Sequence, residues 1–134
     1  MQLKRVVITG LGALTPIGNS VADYWDALKN GVSGAAPITR FDAEKFKTRF
    51  ACEVKNFDVD NYLDRKEARR MDPYTQYAMI VAEQAIIDSG LNLEKLDKDR
   101  AGVIWGSGIG GLHTFLTETR SFVLGDGTPR VSPF

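Results

Sequence analysis

AGVIWGSGIGG at residues 101–111 joins an apolar, strand-like run to a turn rich in glycine. Directly after the turn, Leu112, Phe115 and Leu116 are spaced so that they share one face of a helix. A helix is therefore predicted from residue 112 until the glycines near residue 125 end it. This order of strand, glycine turn and helix is typical of α/β proteins.

The glycines of this turn allow two interpretations. Gly106, Gly108 and Gly111 fit the spacing G-x-G-x-x-G, which between a strand and a helix can bind a pyrophosphate on backbone N–H groups. The same glycines could instead let the backbone pass close to a neighbouring chain or an acyl substrate, since glycine takes positive φ without a Cβ clash. The rest of the sequence has to decide between them.

Three short runs are predicted to be strands, at residues 6–9, 50–54 and 103–105. VVIT at 6–9 is a continuous apolar run that ends at Gly10, which is typical of a central strand buried on both faces. In FACEV at 50–54, Cys52 shares one face with the apolar side chains. Residues 31–48 are predicted to be an irregular connection.

Helices are predicted to begin after three capping residues. Ser20 with Asp23 forms a capping box before a helix that Gly31 ends. Asp64 caps a short helix at 65–71, and the Asp72–Pro73 pair starts a longer one that continues to Gly90. The long helix is so apolar that we expect other elements to enclose it. Strands and helices in this order predict an α/β fold with a largely buried sheet.

The composition is that of a globular domain, with 134 residues, of which 43% are hydrophobic and 25% charged. Seventeen basic residues balance seventeen acidic ones, which argues against nucleic-acid binding through a global positive field. No apolar run is long enough to span a membrane, and glycines and Pro16 interrupt the uncharged stretch after Lys4–Arg5 that resembles a signal peptide. We therefore expect a cytoplasmic protein that binds no membrane.

The chain has one cysteine and one histidine, so Cys52 and His113 are the candidates for a nucleophile and its base. Cys52 is predicted to be a small packed side chain in its strand. His113 falls in the first turn of a helix and is predicted to be solvated or packed. The sequence contains no G-x-S-x-G, C-x-x-C or H-E-x-x-H pattern, so it gives no support to a hydrolase or a zinc site.

A basic cluster at residues 65–70 is the most specific charged feature. On one helix, Arg65 with Arg69 and Lys66 with Arg70 would be like-charge pairs four residues apart, each slightly destabilising. By charge alone the cluster indicates either a solvated helix face or a surface that receives an acidic partner.

Taken in order, several blocks resemble the β-ketoacyl-acyl-carrier-protein synthase family, and most of all its type II, elongating, subclass. The blocks are VVITGLG at 6–12, TPIGN at 15–19, RKEARRMD at 65–72, GSGIGG at 106–111 and SPF at 132–134. The resemblance implies a thiolase-like fold, in which two α/β halves form five αβαβα layers and two subunits pair. Residues 1–134 would be the N-terminal portion of the first half, with the remainder of the enzyme absent.

The resemblance also implies an activity. Such enzymes load an acyl chain onto a cysteine and extend it with malonyl carrier protein by a decarboxylative Claisen condensation, without a cofactor or a metal. The family's catalytic cysteine and two histidines correspond to positions beyond Phe134, so no catalytic residue is assigned to this chain. We expect the chain alone to be inactive.

Two regions of the chain carry over family roles. Lys66, Arg69 and Arg70, with Arg65 beside them, match the basic positions that receive acyl carrier protein. Ile109 matches the apolar gate of the acyl pocket, and Phe134 falls where the wall of that pocket continues. An isoleucine in place of a glycine at 109 favours the type II subclass.

Two alternatives remain at this point. ITGLGA at 8–13 also resembles the first turn of a nicotinamide-dependent oxidoreductase, but it lacks the third glycine at the start of a helix and the acidic ribose ligand. A carrier-binding module without chemistry would use the same basic cluster and would need a closed core. Because strands next to 6–9 and 103–105 are missing, we expect exposed apolar surface instead.

Overall fold

The computed structural model describes residues 4–130. Its helices and strands, in chain order, are α1 Val21–Lys29, β1 Ala36–Pro37, β2 Phe50–Ala51, a 3₁₀ turn at Val59–Asn61, α2 Arg65–Ala68, α3 Pro73–Ser89 and α4 Leu112–Leu124. Among the described residues, no helix combines the length and the apolar character needed to cross a membrane.

The chain divides into two compact units. The first unit comprises Met1–Phe57 with Val81–Leu93, and the second comprises Asp58–Ile80 with Glu94–Phe134. Helix α3 therefore contributes residues 73–80 to the second unit and residues 81–89 to the first.

Helix α1 begins as its capping sequence predicts. The Ser20 hydroxyl accepts a hydrogen bond from the Asp23 N–H at 3.1 Å and donates one to the Asp23 carboxylate at 2.7 Å. The first bond satisfies a backbone N–H that the first turn of a helix leaves without an intrahelical partner, and the second orients the capping hydroxyl. Gly31, at φ 64°, follows the helix in the left-handed conformation that glycine adopts without strain.

In the first unit, the segment around residues 10–13 lies against the C-terminal part of α3. The Leu11 N–H donates to the Asp88 carboxylate at 2.8 Å, and the Ala13 N–H donates to the Gln84 side chain at 2.9 Å. A Cβ atom on Gly10 would collide with the carbonyl oxygen of Ala85. Glycine is required there because backbone meets backbone, so close helix packing accounts for it without a bound phosphate.

The predicted strands at 6–9 and 103–105 are not present as strands, and this part of the prediction was wrong. Neither segment has a ladder partner among residues 4–130. Val6 is 90% exposed, and Ile104 is fully exposed. A strand exists only when a neighbouring strand satisfies its backbone groups. The expectation of exposed apolar surface at these two segments is confirmed.

The third predicted strand is shorter than expected. Strand β2 covers Phe50–Ala51 and pairs antiparallel with β1 at Ala36–Pro37, inside the stretch predicted to be irregular. Cys52 follows β2 directly and is exposed, so the prediction of a packed thiol was wrong. Phe50, which was predicted to share a face with Cys52, is itself 63% exposed, so that face is not buried.

Few side chains are fully enclosed. Among the described residues the buried apolar side chains are Ala68 in α2 and Ile80 in α3. Helix α3 forms over the predicted range, but Met79 is 48% exposed and Ile87 is 72% exposed, so the expected enclosure of this helix was also wrong.

Candidate functional site

The basic cluster lies in the second unit, on a segment that we call the basic segment (residues 65–70). One Asp64 carboxylate oxygen accepts hydrogen bonds from the Lys66 N–H at 2.8 Å and from the Glu67 N–H at 3.1 Å, as its capping position predicts. Ala68 is buried and anchors α2, while the four basic side chains are exposed. The segment therefore presents its charges outward from a capped turn.

The basic segment is a shorter helix than predicted. Helix α2 ends at Ala68, and the Arg70 N–H donates to the Glu67 carbonyl, which tightens the chain beyond an α-helical turn. Arg65 and Arg69 keep the expected helical spacing, since the Arg69 N–H donates to the Arg65 carbonyl at 3.3 Å. The predicted helical pairing of Lys66 with Arg70 therefore fails.

Two contacts hold the ends of the basic segment. Arg65 Nε lies 3.8 Å from Asp60 Oδ2, in an exposed ion pair of the kind that adds little stability. The Gln76 side-chain amide, on α3, donates to the Ala68 carbonyl at 2.9 Å and to the Met71 carbonyl at 3.2 Å. The backbone of the segment is therefore fixed at its C-terminal end without using any basic side chain.

Asp72 follows the basic segment and binds the starts of two helices. Its carbonyl accepts from the Gln76 N–H and its carboxylate from the Tyr74 N–H, so α3 begins at Pro73 as predicted. The other carboxylate oxygen accepts from the Thr114 N–H at 3.1 Å and from the Thr114 hydroxyl at 2.7 Å. Sequence reasoning missed this second role, because the two residues are 42 positions apart.

Opposing effects set the protonation of Asp72. Partial burial, the largest single effect, raises the pKa of this carboxyl group. The hydrogen bonds from Thr114, the N–H of Tyr74 and the electrostatic effect of His113 together outweigh burial, so the pKa of Asp72 lies below its ordinary value of 3.8. Asp72 is thus a carboxylate over the whole neutral range.

This lowered pKa predicts a pH-dependent stability. Because folding favours the carboxylate form, Asp72 contributes stability above the ordinary pKa of 3.8 and loses it as the pH falls through the lower native value. The Tm difference between the protein and its Asp72→Asn variant is expected to be constant above about pH 5 and to shrink below it. Thermal melts over pH 3–8 measure it, with the exposed Asp99→Asn as control. A Tm difference that grows on acidification would contradict the assignment.

An open cleft of about 610 Å³ lies in the second unit beside the basic segment. It is lined by the end of that segment, the start of α3 and the first turns of α4: Arg69, Arg70, Met71, Asp72, Tyr74, Thr75, Gly111, His113, Thr114, Phe115, Thr117 and Glu118. The lining mixes charged, polar and aromatic groups. Such a surface suits contact with a polar macromolecule better than enclosure of an apolar chain.

The glycine turn before α4, which we call the glycine loop (residues 106–111), carries Ile109 with its side chain 74% exposed. A Cβ atom on Gly110 would come within 3.1–3.3 Å of the Tyr74 ring. Gly111 takes φ 69° and precedes α4 without a side-chain cap. Ile109 is not among the cleft-lining residues. Phe134, the other predicted pocket residue, lies outside the described residues.

The other two candidate groups belong to different units of the chain. Cys52 is in the first unit, and His113 is exposed in the first turn of α4 in the second, where it was predicted. Within residues 4–130, no three histidine, cysteine or acidic side chains are grouped closely enough to hold a metal ion.

Solved ketosynthases share this fold. The ishigamide ketosynthase/chain length factor has a TM-score of 0.75 and 32% identity, over 95% of this chain and 32% of that one. A type II polyketide ketosynthase, solved with its acyl-carrier protein and a bound hexaketide, has a TM-score of 0.74 and 27% identity over 98% of this chain and 33% of its own. The fold is therefore that of the N-terminal part of a thiolase-like condensing enzyme.

The sequence relatives agree. The 3-oxoacyl-[acyl-carrier-protein] synthase 2 of Synechocystis is 49% identical over 134 residues, and that of Staphylococcus aureus strain COL is 48% identical over 133. Residues 3–132 match the protein family of the beta-ketoacyl synthase N-terminal domain. The chain belongs to the β-ketoacyl synthase family. It spans about a third, 32%, of the length of these curated relatives.

The family assignment confirms the resemblance stated from the sequence blocks. It leaves the dinucleotide-binding interpretation of the glycine motifs without support. The structure gives some of those glycines other physical roles, namely close packing at Gly10 and a left-handed turn at Gly111.

Proposed function

We propose that this chain is the N-terminal segment of a 3-oxoacyl-acyl-carrier-protein synthase of the type II subclass. The observation that carries the proposal is 49% identity over the whole chain to a protein of that name. In the proposed reaction, an enzyme cysteine attacks the carrier thioester, so the acyl group becomes bonded to the cysteine sulfur and the carrier leaves as its free thiol. Malonyl carrier protein then loses CO₂, and the resulting carbanion attacks the acyl carbonyl, forming the carbon–carbon bond and releasing the cysteine thiolate.

In this proposal residues 1–134 supply binding surfaces, and the catalytic cysteine and histidines belong to the remainder of the enzyme. The complete enzyme works in the cytoplasm as a homodimer. Cys52 takes no part in the chemistry, although it is exposed, and His113 takes none either.

The basic segment is the proposed docking site for acyl carrier protein, through Arg65, Lys66, Arg69 and Arg70. The exposure of these side chains supports the proposal, as does the independent anchoring of their backbone by Asp64 and Gln76. An acidic partner can reach all four charges because their side chains lie at the surface. Contacts of this kind mainly raise the association rate and set orientation.

Ile109 and Phe134 are the proposed acyl-pocket residues. The exposed Ile109 side chain on the glycine loop supports this role, because an apolar side chain held out from a turn is available to contact an acyl chain or another part of the enzyme.

The experiment that tests the function is an elongation assay. The full-length protein that carries these residues is incubated with acyl carrier protein thioesters and malonyl carrier protein, and the 3-oxoacyl product is measured by mass spectrometry. We expect product from the full-length protein and none from the purified chain of residues 1–134. Absence of product with the full-length protein, or condensation by residues 1–134 alone, would contradict the proposal.

A further inference from the structure

A single carboxylate holds the starts of α3 and α4. Asp72 accepts the N–H of Tyr74 in α3, and it accepts both the N–H and the hydroxyl of Thr114, the third residue of α4. The first turn of a helix has N–H groups without intrahelical partners, and a nearby side chain of the same segment usually satisfies them. Here a residue 42 positions away does so.

The local sequence of α4 shows why a distant partner is needed. Gly111 occupies the capping position and has no side chain to accept a hydrogen bond. Asp72 supplies the missing acceptor. Its negative charge lies at the N-terminal end of α4, where the helix dipole stabilises an anion. Tyr74, two residues further on, packs its ring against Gly110. Residues 72–74 therefore contact both the glycine loop and the first turn of α4.

We propose that Asp72 is a positioning residue that, through Thr114, holds the glycine loop and its Ile109 side chain in place. The inference rests on the proposed function, in which Ile109 contacts the acyl chain and the basic segment receives its carrier. It adds a physical link between the two, because Asp72 comes two residues after Arg70 and Thr114 comes three after Gly111.

The contacts predict which function the link controls. The backbone of the basic segment is held by Asp64 and Gln76, which do not depend on Thr114. Helix α4, which follows the glycine loop, has no side-chain cap from that loop. The position of the loop therefore depends on the Asp72–Thr114 hydrogen bonds and on the contact between Tyr74 and Gly110. Loss of the Thr114 hydroxyl therefore loosens the loop and leaves carrier docking intact.

The first measurement is amide hydrogen exchange in the full-length protein, on peptides that cover residues 106–118. Thr114→Val removes the hydroxyl donor at nearly constant volume, and Thr114→Ser retains it. Since hydrogen bonds to charged groups are among the stronger ones, exchange in the valine variant is expected to be about tenfold faster, with near-normal protection in the serine variant. Equal protection in the protein and in Thr114→Val would overturn the inference.

The second measurement separates positioning from general destabilisation. In Thr114→Val, the preference for long over short acyl acceptors is expected to change about tenfold through kcat. The KM for carrier-bound substrate should stay unchanged, and Thr114→Ser should restore the preference. A raised carrier KM, or faster exchange with an unchanged acyl preference, would overturn the positioning role.

Ile109→Phe distinguishes failure of this inference from failure of the proposed function. If Ile109→Phe leaves the acyl preference unchanged, the gate role fails and the positioning role falls with it. If Ile109→Phe alters the preference and Thr114→Val does not, the gate stands and only the inference about Asp72 is overturned.

Discussion

Replacing Lys66, Arg69 and Arg70 together by glutamate is expected to lower kcat/KM for carrier-bound substrates by roughly 10- to 1,000-fold, the range over which charge steering alters association. Each replacement puts a negative charge on an exposed position that should face an acidic carrier. Small thioester mimics lack the carrier, so their kcat/KM should remain near the value of the unaltered protein. Steady-state kinetics of the full-length protein with both kinds of substrate measure the difference.

A matched control keeps the same change in net charge elsewhere. Lys45, Lys47 and Lys98 are also exposed, and their joint replacement by glutamate should leave use of carrier-bound substrates nearly unchanged. The effect of the first triple variant should shrink at high ionic strength, because salt screens exposed charges. Equal losses with carrier-bound substrates and small mimics would show that these three residues act on folding or chemistry and not on docking.

Ile109→Phe is expected to reduce elongation of long acyl acceptors by roughly tenfold to a hundredfold and that of short acceptors much less. Extra ring volume in a packed apolar channel forces strain of about 1–3 kcal/mol, and a longer chain needs more of the channel. Product analysis with acceptors of increasing length measures the profile. Ile109→Leu conserves volume and serves as the control, and an unchanged profile in the phenylalanine variant would remove Ile109 from the pocket.

Several helix starts were predictable because their signals are local. Ser20 caps α1, Asp64 caps α2 and the Asp72–Pro73 pair starts α3, each through hydrogen bonds that span no more than four residues. The end of α2 was not predictable in the same way. There the carbonyls of Ala68 and Met71 accept hydrogen bonds from the side-chain amide of Gln76, which belongs to the next helix.

The strands and the cysteine were less predictable. The apolar runs at 6–9 and 103–105 match a strand pattern, but a pattern cannot supply the neighbouring strand that a ladder needs. Cys52 was assigned to a buried face on the assumption of a five-residue strand, whereas the strand has two residues and the thiol is exposed.

In the candidate site too, the features that depend on neighbouring residues were predictable and the contacts between distant residues were not. The sequence by itself determined the family blocks, the basic residues at 65–70 and the capping role of Asp72 toward α3, because each depends on residue types at short separations. Only the tertiary structure decided that Asp72 also caps α4 through Thr114 and that Tyr74 packs on Gly110. Hydrogen bonds and contacts between residues some 40 positions apart depend on how the chain folds back, which local spacing does not encode.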